Sequence, residues 1–390
     1  MKIKKIKGEK ILDSRGKETI SVYITTDAGI FSASSPSGTS TGKYERKAFA
    51  DSVEESIAKL ESLEIDKEFN SFSDLIYLES EIAKKFKTID NLGANALLAL
   101  ELAVLKAIAF QERKELWQVI SNTGKGPILV GNCIGGGMHS PGNGISPNFQ
   151  EFLFLPKIKD VKEAIEINKR CHKLAGKILK DADAGFQEKL NYESAWQTSF
   201  PDNRVLFVMQ EIKKEIEKFL NIRVGIGIDM ASSTFFHKTY NYNNPVKERN
   251  PQEQIRYVNS LIEKYQLSYV EDPLDEEDFS GFAKIDKKCL VVGDDLICTQ
   301  IDRLETAIKE QSINAVIVKP NQNGSLLQVK RFCELARQNN LALVFSHRSG
   351  ETMDSWLADL AYAFHADFLK AGISGKERDI KLRRIAEIAR

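Results

Sequence analysis

A repeated pattern of short apolar runs that end in charged residues constrains this chain more than any other feature. Each run is typical of a buried parallel strand. From Glu271 onward the ends recur about every 23–28 residues, the length that a strand, a helix and two short loops need. The runs are Val224–Asp229, Leu267–Glu271, Leu290–Asp294, Asn314–Lys319, Leu341–His347 and Ala366–Lys370. In a closed βα barrel such ends meet at one mouth, so the pattern predicts an α/β barrel fold with a site at that mouth.

The charged residues at these ends predict metal and acid–base chemistry. In one mouth, the carboxylates of Asp229, Glu271 and Asp294 would lie close together. At that distance they repel one another unless a cation lies among them. Oxygen ligands without cysteine favour Mg²⁺ over Zn²⁺. Lys319 and Lys370 flank this set, and a divalent cation disfavours the charged form of a nearby lysine. A lysine there can act as a general base that removes a proton next to a carboxylate.

Other segments supply candidates that are weaker when taken alone. Arg348 and Ser349 follow the fifth run and favour an anionic group, for which we expect phosphate because arginine offers a two-pronged donor. Glu151 interrupts an apolar strand, which an exposed edge position explains equally well. A lone histidine such as His139 is more often structural than catalytic. A single strand-end lysine is also more often surface than site, and only the repetition favours a site.

The first third of the chain predicts a separate α+β unit. Residues 1–36 alternate as an antiparallel meander, and helical patterns follow at roughly 45–64, 72–87 and 93–121. The small, polar stretch Pro36–Gly42 is either an ordinary mobile loop or a lid whose hydroxyl groups reach a ligand. Because the texture changes near Pro127, we expect an α+β cap domain over 1–125 and a βα barrel over 126–390.

Composition narrows the class of protein. Lys+Arg and Asp+Glu both total 55, and this zero net charge argues against a nucleic acid or an anionic membrane as a partner. The apolar stretch Leu92–Phe110 carries Glu101 and Lys106, which favours a buried helix. Five scattered cysteines are typical of reduced thiols, and Met1–Gly8 lacks the apolar region of a signal peptide. We therefore expect a cytoplasmic protein.

Several motifs together resemble the enolase family, and the similarity runs in order through nearly the whole chain. The lid stretch and the Ser-His-Arg-Ser-Gly-Glu segment are the most specific. The set is Ile11–Gly16, Pro36–Gly42, Leu92–Ala96, Gln150–Phe152, Asp229–Ser233, Glu271–Pro273, Gly293–Leu296, Lys319–Gln322 and Ser346–Glu351. The resemblance implies an enolase-type barrel whose first units depart from simple βα alternation. It also implies Mg²⁺-dependent, reversible dehydration of 2-phospho-D-glycerate to phosphoenolpyruvate, commonly by a homodimer.

The resemblance further implies a metal set and a base. The first Mg²⁺ would have three carboxylate ligands, Asp229, Glu271 and Asp294. Ser40 in the lid would help to hold a second Mg²⁺ that arrives with the substrate. Lys319 would remove the C2 proton. A lysine or histidine base with Mg²⁺ stabilising an ene-diolate is established chemistry of this superfamily.

The remaining roles concern the substrate. Lys370 would help to hold its carboxylate near the metals. Arg348 and Ser349 would bind its phosphate. His347 would lie beside them as one of the catalytic residues. His139 would belong to a loop that moves onto the substrate, and Glu151 to an acidic pair that handles the leaving hydroxyl.

Three departures from the family pattern affect these expectations. The family has a Gly-Asp-Glu-Gly-Gly loop after the first long barrel helix, and its glutamate protonates the leaving hydroxyl. With Gly185–Phe186 as the anchor, Asp183 takes that position, although Asp181 is an alternative. Aspartate is one methylene shorter, and a misplacement of about 1 Å can cost roughly 100-fold in rate. The loop after His139 is also three residues longer, and the cap after Glu45 is short.

Two other functions remain open, and the altered acid loop favours the first of them. One is a catalytically weakened enolase-like protein kept for a binding role. The other is a Mg²⁺-dependent acid–sugar dehydratase of the wider superfamily, whose members normally lack the lid stretch and the phosphate segment. For the leading function we expect a small phosphorylated acid as substrate, and a homodimer or a larger homo-oligomer as the assembly.

Overall fold

The N-terminal domain is organised around a three-stranded antiparallel sheet in this computed structural model, which describes residues 1–39, 42–140 and 144–389. The strands follow one another as a meander, β1 (Ile3–Leu12), β2 (Glu18–Thr26) and β3 (Gly29–Ser34). The predicted apolar alternation along the second strand is confirmed, because Ile20, Val22 and Ile24 are all fully buried. The sheet therefore presents one apolar face to the helices that follow.

Within the described residues, this domain has four α-helices, α1 (Val53–Glu61), α2 (Leu75–Phe86), α3 (Ala94–Gln111) and α4 (Leu116–Ile120). The first helix begins later than the expected residue 45, because Ser52 caps it by accepting a hydrogen bond from the Glu55 amide (3.0 Å). The helical stretch expected over 93–121 is divided in two, and Arg113 between the parts has φ +53°. The segment between residue 45 and α1 is therefore not helical, and it contacts the barrel where the Arg46 amide donates a hydrogen bond to the Gln322 carbonyl (3.0 Å).

Helix α3 is the buried centre of the N-terminal domain, as predicted for Leu92–Phe110. By length and composition it could cross a membrane, a property that the core helix of a globular protein shares, and most of it is buried here. It contacts β2 and β3 on one side. Glu101 in its middle is fully buried and accepts a hydrogen bond from the Leu326 amide (2.7 Å) of the C-terminal domain. The helix therefore ties the two parts of the chain together.

Among the described residues, eight strands close a barrel in the C-terminal domain, which confirms the predicted fold class. They are β4 (Ile128–Gly135), β5 (Glu151–Pro156), β7 (Val224–Asp229), β11 (Tyr269–Glu271), β12 (Leu290–Gly293), β13 (Ala315–Val318), β14 (Ala342–Ser346) and β15 (Phe368–Lys370). The last strand pairs in parallel with the first and closes the ring. Strand β5 is antiparallel to both of its neighbours, so the first units do depart from simple βα alternation.

Shorter elements and helices surround this ring. The additional strands are β6 (Trp196–Gln197), which pairs with β4, and the hairpin strands β8 (Phe236–His237), β9 (Thr239–Asn243) and β10 (Val246–Arg249). The helices are α5 (Val161–Ala182), α6 (Asp202–Leu220), α7 (Pro251–Tyr265), α8 (Phe279–Phe282), α9 (Ile301–Lys309), α10 (Pro320–Asn323), α11 (Leu326–Gln338), α12 (Trp356–Ala363) and α13 (Lys376–Ile388).

The barrel interior is a plug of apolar side chains with the charged residues in the layer above it. The plug consists of Val130, Leu153, Leu155, Tyr269, Val292, Ala315, Ile317 and Val344. Side chains two residues apart in a strand share a face. Tyr269 and Ile317 therefore point inward beneath Glu271 and Lys319, and the charged side chains form the top inward-facing layer. The fold thus turns the sequence pattern of apolar runs with charged ends into one polar layer on an apolar floor.

The loop after β13 is held by the N-terminal domain. Ser325 caps α11 by accepting a hydrogen bond from the Gln328 amide (3.0 Å) and donates one to Glu79 of α2. Gly324 has φ +89°, and a Cβ there would lie 2.6 Å from the Cα of Ala94. Because both the backbone angle and the space require glycine, this position fixes how closely α3 approaches the loop that follows Lys319.

Gly324→Ala is expected to lower the free energy of unfolding by more than about 2 kcal/mol, because it adds a backbone clash to the cost of a left-handed angle. Gly16→Ala is the matched control, since Gly16 has φ +74° but no atom within 4 Å of its would-be Cβ. The control should lose only about 1 kcal/mol. Urea unfolding of both variants measures the difference, and equal losses would contradict the close approach.

Candidate active site

The predicted carboxylates meet at the carboxyl mouth of the barrel around one lysine. Lys370 Nζ lies 3.0 Å from Asp229 Oδ2, 2.9 Å from Glu271 Oε2 and 3.0 Å from Glu151 Oε2. All four residues are buried. Glu151 belongs to this group because β5 is antiparallel, so its first residue lies at the mouth and pairs with Asp229. The strands therefore bring together three acidic residues that are far apart in the sequence.

A second lysine completes the acidic side of the mouth. Lys319 Nζ contacts Asp294 Oδ2, and both side chains are largely buried. Burial alone would lower the pKa of Lys319, but the neighbouring Asp294 outweighs it and raises the pKa above the ordinary value. Burial likewise acts to raise the pKa of Asp294, and Lys319 brings it below the ordinary value. The pair is held in its charged form.

Burial and mutual repulsion shift the other members of the group. Burial, followed by the charge of Asp229, raises the pKa of Glu271 to about 8. Burial works against the charge of Lys370, yet its acidic neighbours, Asp229 first, keep its pKa well above the ordinary value. Carboxylates at this density need added positive charge to ionise together. The oxygen-only donors of Asp229, Glu271 and Asp294 fit a hard cation such as Mg²⁺.

A second cluster, formed by His139, Glu151, Glu193 and His347, shares Glu151 with the group around Lys370. His139 Nδ1 is 3.5 Å from Glu151 Oε1 and 3.6 Å from Glu193 Oε1. His347 Nε2 is 3.5 Å from Glu193 Oε2. These separations are longer than hydrogen bonds, and no hydrogen bond to His139 Nδ1 or to either ring nitrogen of His347 is found within the described residues. Buried polar atoms of this kind are suited to a polar ligand.

The carboxylates of this cluster have opposite pKa shifts. Burial and the adjacent Glu193 raise the pKa of Glu151 well above the ordinary value. Burial acts in the same direction on Glu193, but His139 and His347 outweigh it and hold the pKa of Glu193 well below its usual range. Burial lowers the pKa of both histidines. The two glutamates together can hold one proton close to an ionised partner, which is how acid–base pairs work.

Glu193 was missed in the sequence, and the loop around it explains why. Asn191 Oδ1 accepts hydrogen bonds from the amides of Glu193 (2.9 Å) and Ala195 (3.0 Å), and Ser194 has φ +62°. Asn132 of β4 donates a hydrogen bond to Glu193 Oε2 (3.0 Å). A signal was present, because Glu193 is followed by two small residues and an aromatic one, as in the Glu-Gly-Gly pattern. Serine and alanine in place of the glycines concealed it.

Asp183, expected at the acid position, is placed elsewhere. Its carboxylate accepts hydrogen bonds from the Thr198 hydroxyl (2.6 Å), the Ser199 hydroxyl (2.6 Å) and the Gly185 amide (2.9 Å). It follows the last residue of α5 and closes the turn there. Burial acts to raise the pKa of Asp183, but the hydrogen bonds from Ser199 and Thr198 bring it below the ordinary value. We therefore replace Asp183 by Glu193 as the expected partner of Glu151.

The predicted phosphate segment lies beside the acidic group. Arg348 is buried, and its guanidinium donates hydrogen bonds to Glu45 and to Asn321 Oδ1 (3.0 Å). The backbone carbonyl of Ser349 accepts a hydrogen bond from Arg378 (2.9 Å). Together with His347, these residues form a polar wall that follows β14.

The first residues of the lid stretch are fastened to this wall. Ser37 and Gly350 exchange two backbone hydrogen bonds (2.8 and 3.0 Å). The Thr39 amide donates a hydrogen bond to Ser349 Oγ (2.9 Å). Ser40, expected as a metal ligand, lies outside the described residues.

Asp183→Asn is expected to destabilise the fold by about 1–2 kcal/mol at pH 7, because it weakens hydrogen bonds to a charged group. The pKa of Asp183 is lower in the folded than in the unfolded chain, so its contribution is present above about pH 4 and is lost as the pH falls through the folded pKa. Urea unfolding of wild type and variant from pH 7 to pH 2.5 measures this. A difference that does not shrink at low pH would contradict the assignment.

Comparisons with known proteins cover both parts of the chain. A sequence profile described as "Enolase, N-terminal domain" matches residues 3–120, and one described as "Enolase, C-terminal TIM barrel domain" matches residues 125–390.

Relatives named enolase align with nearly the whole chain. One from Natronomonas pharaonis is 34% identical over 411 residues, which span 99% of this chain and 98% of that protein. One from Methanothermobacter thermautotrophicus is 33% identical over 99% of this chain and 96% of that protein. One from Methanocorpusculum labreanum is 36% identical over 97% of this chain and 96% of that protein. With this fold and this similarity over its full length, the chain belongs to the enolase family of hydro-lyases.

Proposed function

We propose that this protein catalyses the reversible, Mg²⁺-dependent dehydration of 2-phospho-D-glycerate to phosphoenolpyruvate and water, a reaction of glycolysis and gluconeogenesis. The observation that carries the proposal is that two groups of different chemistry meet at Glu151 in one mouth. One is the lysine–carboxylate group around Lys370, and the other is the glutamate–histidine cluster. Elimination of water needs both, because a proton leaves C2 and a hydroxyl leaves C3.

The substrate would be held at its two anionic ends. Arg348 and Ser349 would bind the phosphate, since a guanidinium offers paired donors to phosphate oxygens. Lys370 would help to bind the carboxylate. Its ammonium lies beside Asp229 and Glu271, two of the expected metal ligands, so a carboxylate bound there would be close to the metal. Two anchors fix C2 and C3 between the acidic group and the cluster, and such positioning contributes strongly to rate.

Metal ligands and base would come from the acidic group. Asp229, Glu271 and Asp294 would hold one Mg²⁺ and Ser40 would help to hold a second. When bound, Mg²⁺ supplies positive charge that stabilises negative charge on the substrate carboxylate and disfavours the ammonium form of Lys319. Lys319 would then take the C2 proton at its Nζ, the usual assignment in this superfamily.

Glu151 and Glu193 would deliver the proton that the leaving C3 hydroxyl needs. Burial and the adjacent Glu193 raise the pKa of Glu151, so a proton is available inside the site. It passes to the C3 hydroxyl, the C3–O bond breaks, water leaves, and the C2–C3 double bond forms. His139 and His347 would orient the pair from their positions beside Glu193.

Two observations favour dehydration of 2-phosphoglycerate over the alternative functions. A weakened enolase-like protein was suggested by the aspartate in the acid loop, but Glu193 offers a full-length acid in the cluster. An acid–sugar dehydratase normally lacks the lid stretch and the phosphate segment.

We also propose the remaining expectations for this protein. They are a cytoplasmic location, a homodimer or a larger homo-oligomer, and a domain boundary near residues 125–126. The two family profiles part at 120 and 125, which supports that boundary.

Purified protein is expected to form phosphoenolpyruvate from 2-phosphoglycerate with Mg²⁺ and to lose this activity when a chelator removes the metal. Absorbance of the enol product measures the rate. Absence of metal-dependent turnover would overturn the proposed function, and turnover that survives the chelator would overturn the metal assignment.

Lys319→Ala and Glu193→Gln are expected to separate the two proton transfers. Lys319→Ala should lower both dehydration and exchange of the C2 proton with solvent by at least about 10³-fold. Glu193→Gln should lower dehydration by about 10²–10⁴-fold and retain C2 exchange. Deuterium exchange followed by NMR, beside the absorbance assay, distinguishes them.

Asp183→Asn serves as the control, because it alters the same connection between α5 and α6 and should keep turnover within about threefold under stable conditions. Surviving exchange in Lys319→Ala would reject Lys319 as the base. Normal dehydration in Glu193→Gln with loss in Asp183→Asn would restore Asp183 as the acid.

A further inference from the structure

Glu45 lies three residues after the lid stretch, and its side chain contacts Arg348 in the barrel mouth. Its Oε1 accepts a hydrogen bond from the Gly42 amide (3.0 Å), and its own amide donates one to the Gly42 carbonyl (3.1 Å). The carboxylate is thus fixed by a local turn that leads directly out of the lid stretch. Its side chain is only 10% exposed.

The carboxylate of Glu45 holds the guanidinium of Arg348 at two points. Arg348 Nη1 donates to Glu45 Oε2 and Nη2 donates to Glu45 Oε1, both at 3.0 Å. Gln322 Nε2 donates to Glu45 Oε1 (3.3 Å) and also to Asp294 Oδ1 (3.3 Å). Arg348 and the expected metal ligand Asp294 are therefore linked through the side chains of Glu45 and Gln322.

The neighbouring residue anchors Glu45 from outside. The guanidinium carbon of Arg303 lies 3.7 Å from the centroid of the Tyr44 ring, and the Tyr44 hydroxyl donates a hydrogen bond to Glu277 (2.5 Å). Arg303 in turn donates to the Leu296 carbonyl (2.6 Å). Because Tyr44 is held on the barrel, the adjacent Glu45 has little freedom to leave Arg348 when an anion arrives.

We propose that Glu45 is a positioning residue for phosphate recognition, an inference that rests on the proposed function of Arg348. It fixes the plane of the Arg348 guanidinium toward the bound phosphate and couples the end of the lid stretch to that anion. A free arginine side chain must lose rotamer entropy on binding, whereas a guanidinium held at two points has already lost it. Glu45 therefore increases phosphate affinity, although its charge opposes that of the anion.

The test is the affinity of the Mg²⁺-loaded protein for inorganic phosphate, measured by calorimetry without turnover. Glu45→Gln should weaken binding about tenfold, because the two-point charged contact is lost. In an Arg348→Ala background the same change should alter affinity less than about twofold. Glu45→Asp, one methylene shorter, should also weaken binding and serves if Glu45→Gln does not fold. Glu115→Gln is the control, because it alters a glutamate–arginine contact with Arg384 (2.7 Å) that involves none of these residues, and it should leave phosphate affinity unchanged.

Steady-state kinetics distinguish weakened phosphate binding, which raises KM, from general loss of structure, which would also lower kcat. Glu45→Gln should raise KM for 2-phosphoglycerate about tenfold and keep kcat within about threefold. Unchanged or tighter phosphate binding in Glu45→Gln, or a wild-type protein that does not bind phosphate, would overturn the inference. Phosphate binding that depends on Glu45 in a protein without turnover would overturn the proposed function and leave the inference standing.

Discussion

The contact of Lys370 with three buried carboxylates is the interaction on which the rest of the site depends. A buried charge without a partner costs several kcal/mol. Asp229, Glu271 and Glu151 can therefore be brought into one mouth only because an ammonium lies between them. The lysine ends β15, the strand that closes the ring against β4. The strand that closes the barrel therefore also supplies the cation that these carboxylates need.

The antiparallel strand β5 gives this arrangement its second side. Strands of a uniform βα barrel contribute their last residues to the mouth. Strand β5 instead contributes its first residue, Glu151, and the loop before it carries His139. The irregular start of the barrel thus places a glutamate between the lysine group and the histidine cluster. It also gives Glu151 two kinds of neighbour, a cation in Lys370 and an acid in Glu193.

Residues close in sequence were predicted better than residues joined across the fold. The barrel was predicted because each strand carries its own signal, a buried run with a charged end. The enolase family was predicted from short motifs and is confirmed. Glu193 could not be found in this way, because its place depends on an asparagine-closed turn in which serine and alanine stand where the family has glycines. The Glu45–Arg348 pair joins residues 303 positions apart, and no local pattern announces it.

The charge distribution of the mouth links metal binding to anion binding. Among the described residues, five carboxylates contact three cationic side chains: Glu45, Glu151, Asp229, Glu271 and Asp294 against Lys319, Lys370 and Arg348. An anionic substrate entering this excess of negative charge would be repelled unless positive charge accompanied it. A cation on the acidic side offsets that repulsion without displacing Arg348. This explains how a negatively charged Glu45 can lie beside an anion site. Glu45 orients the arginine, and the cation supplies the net attraction.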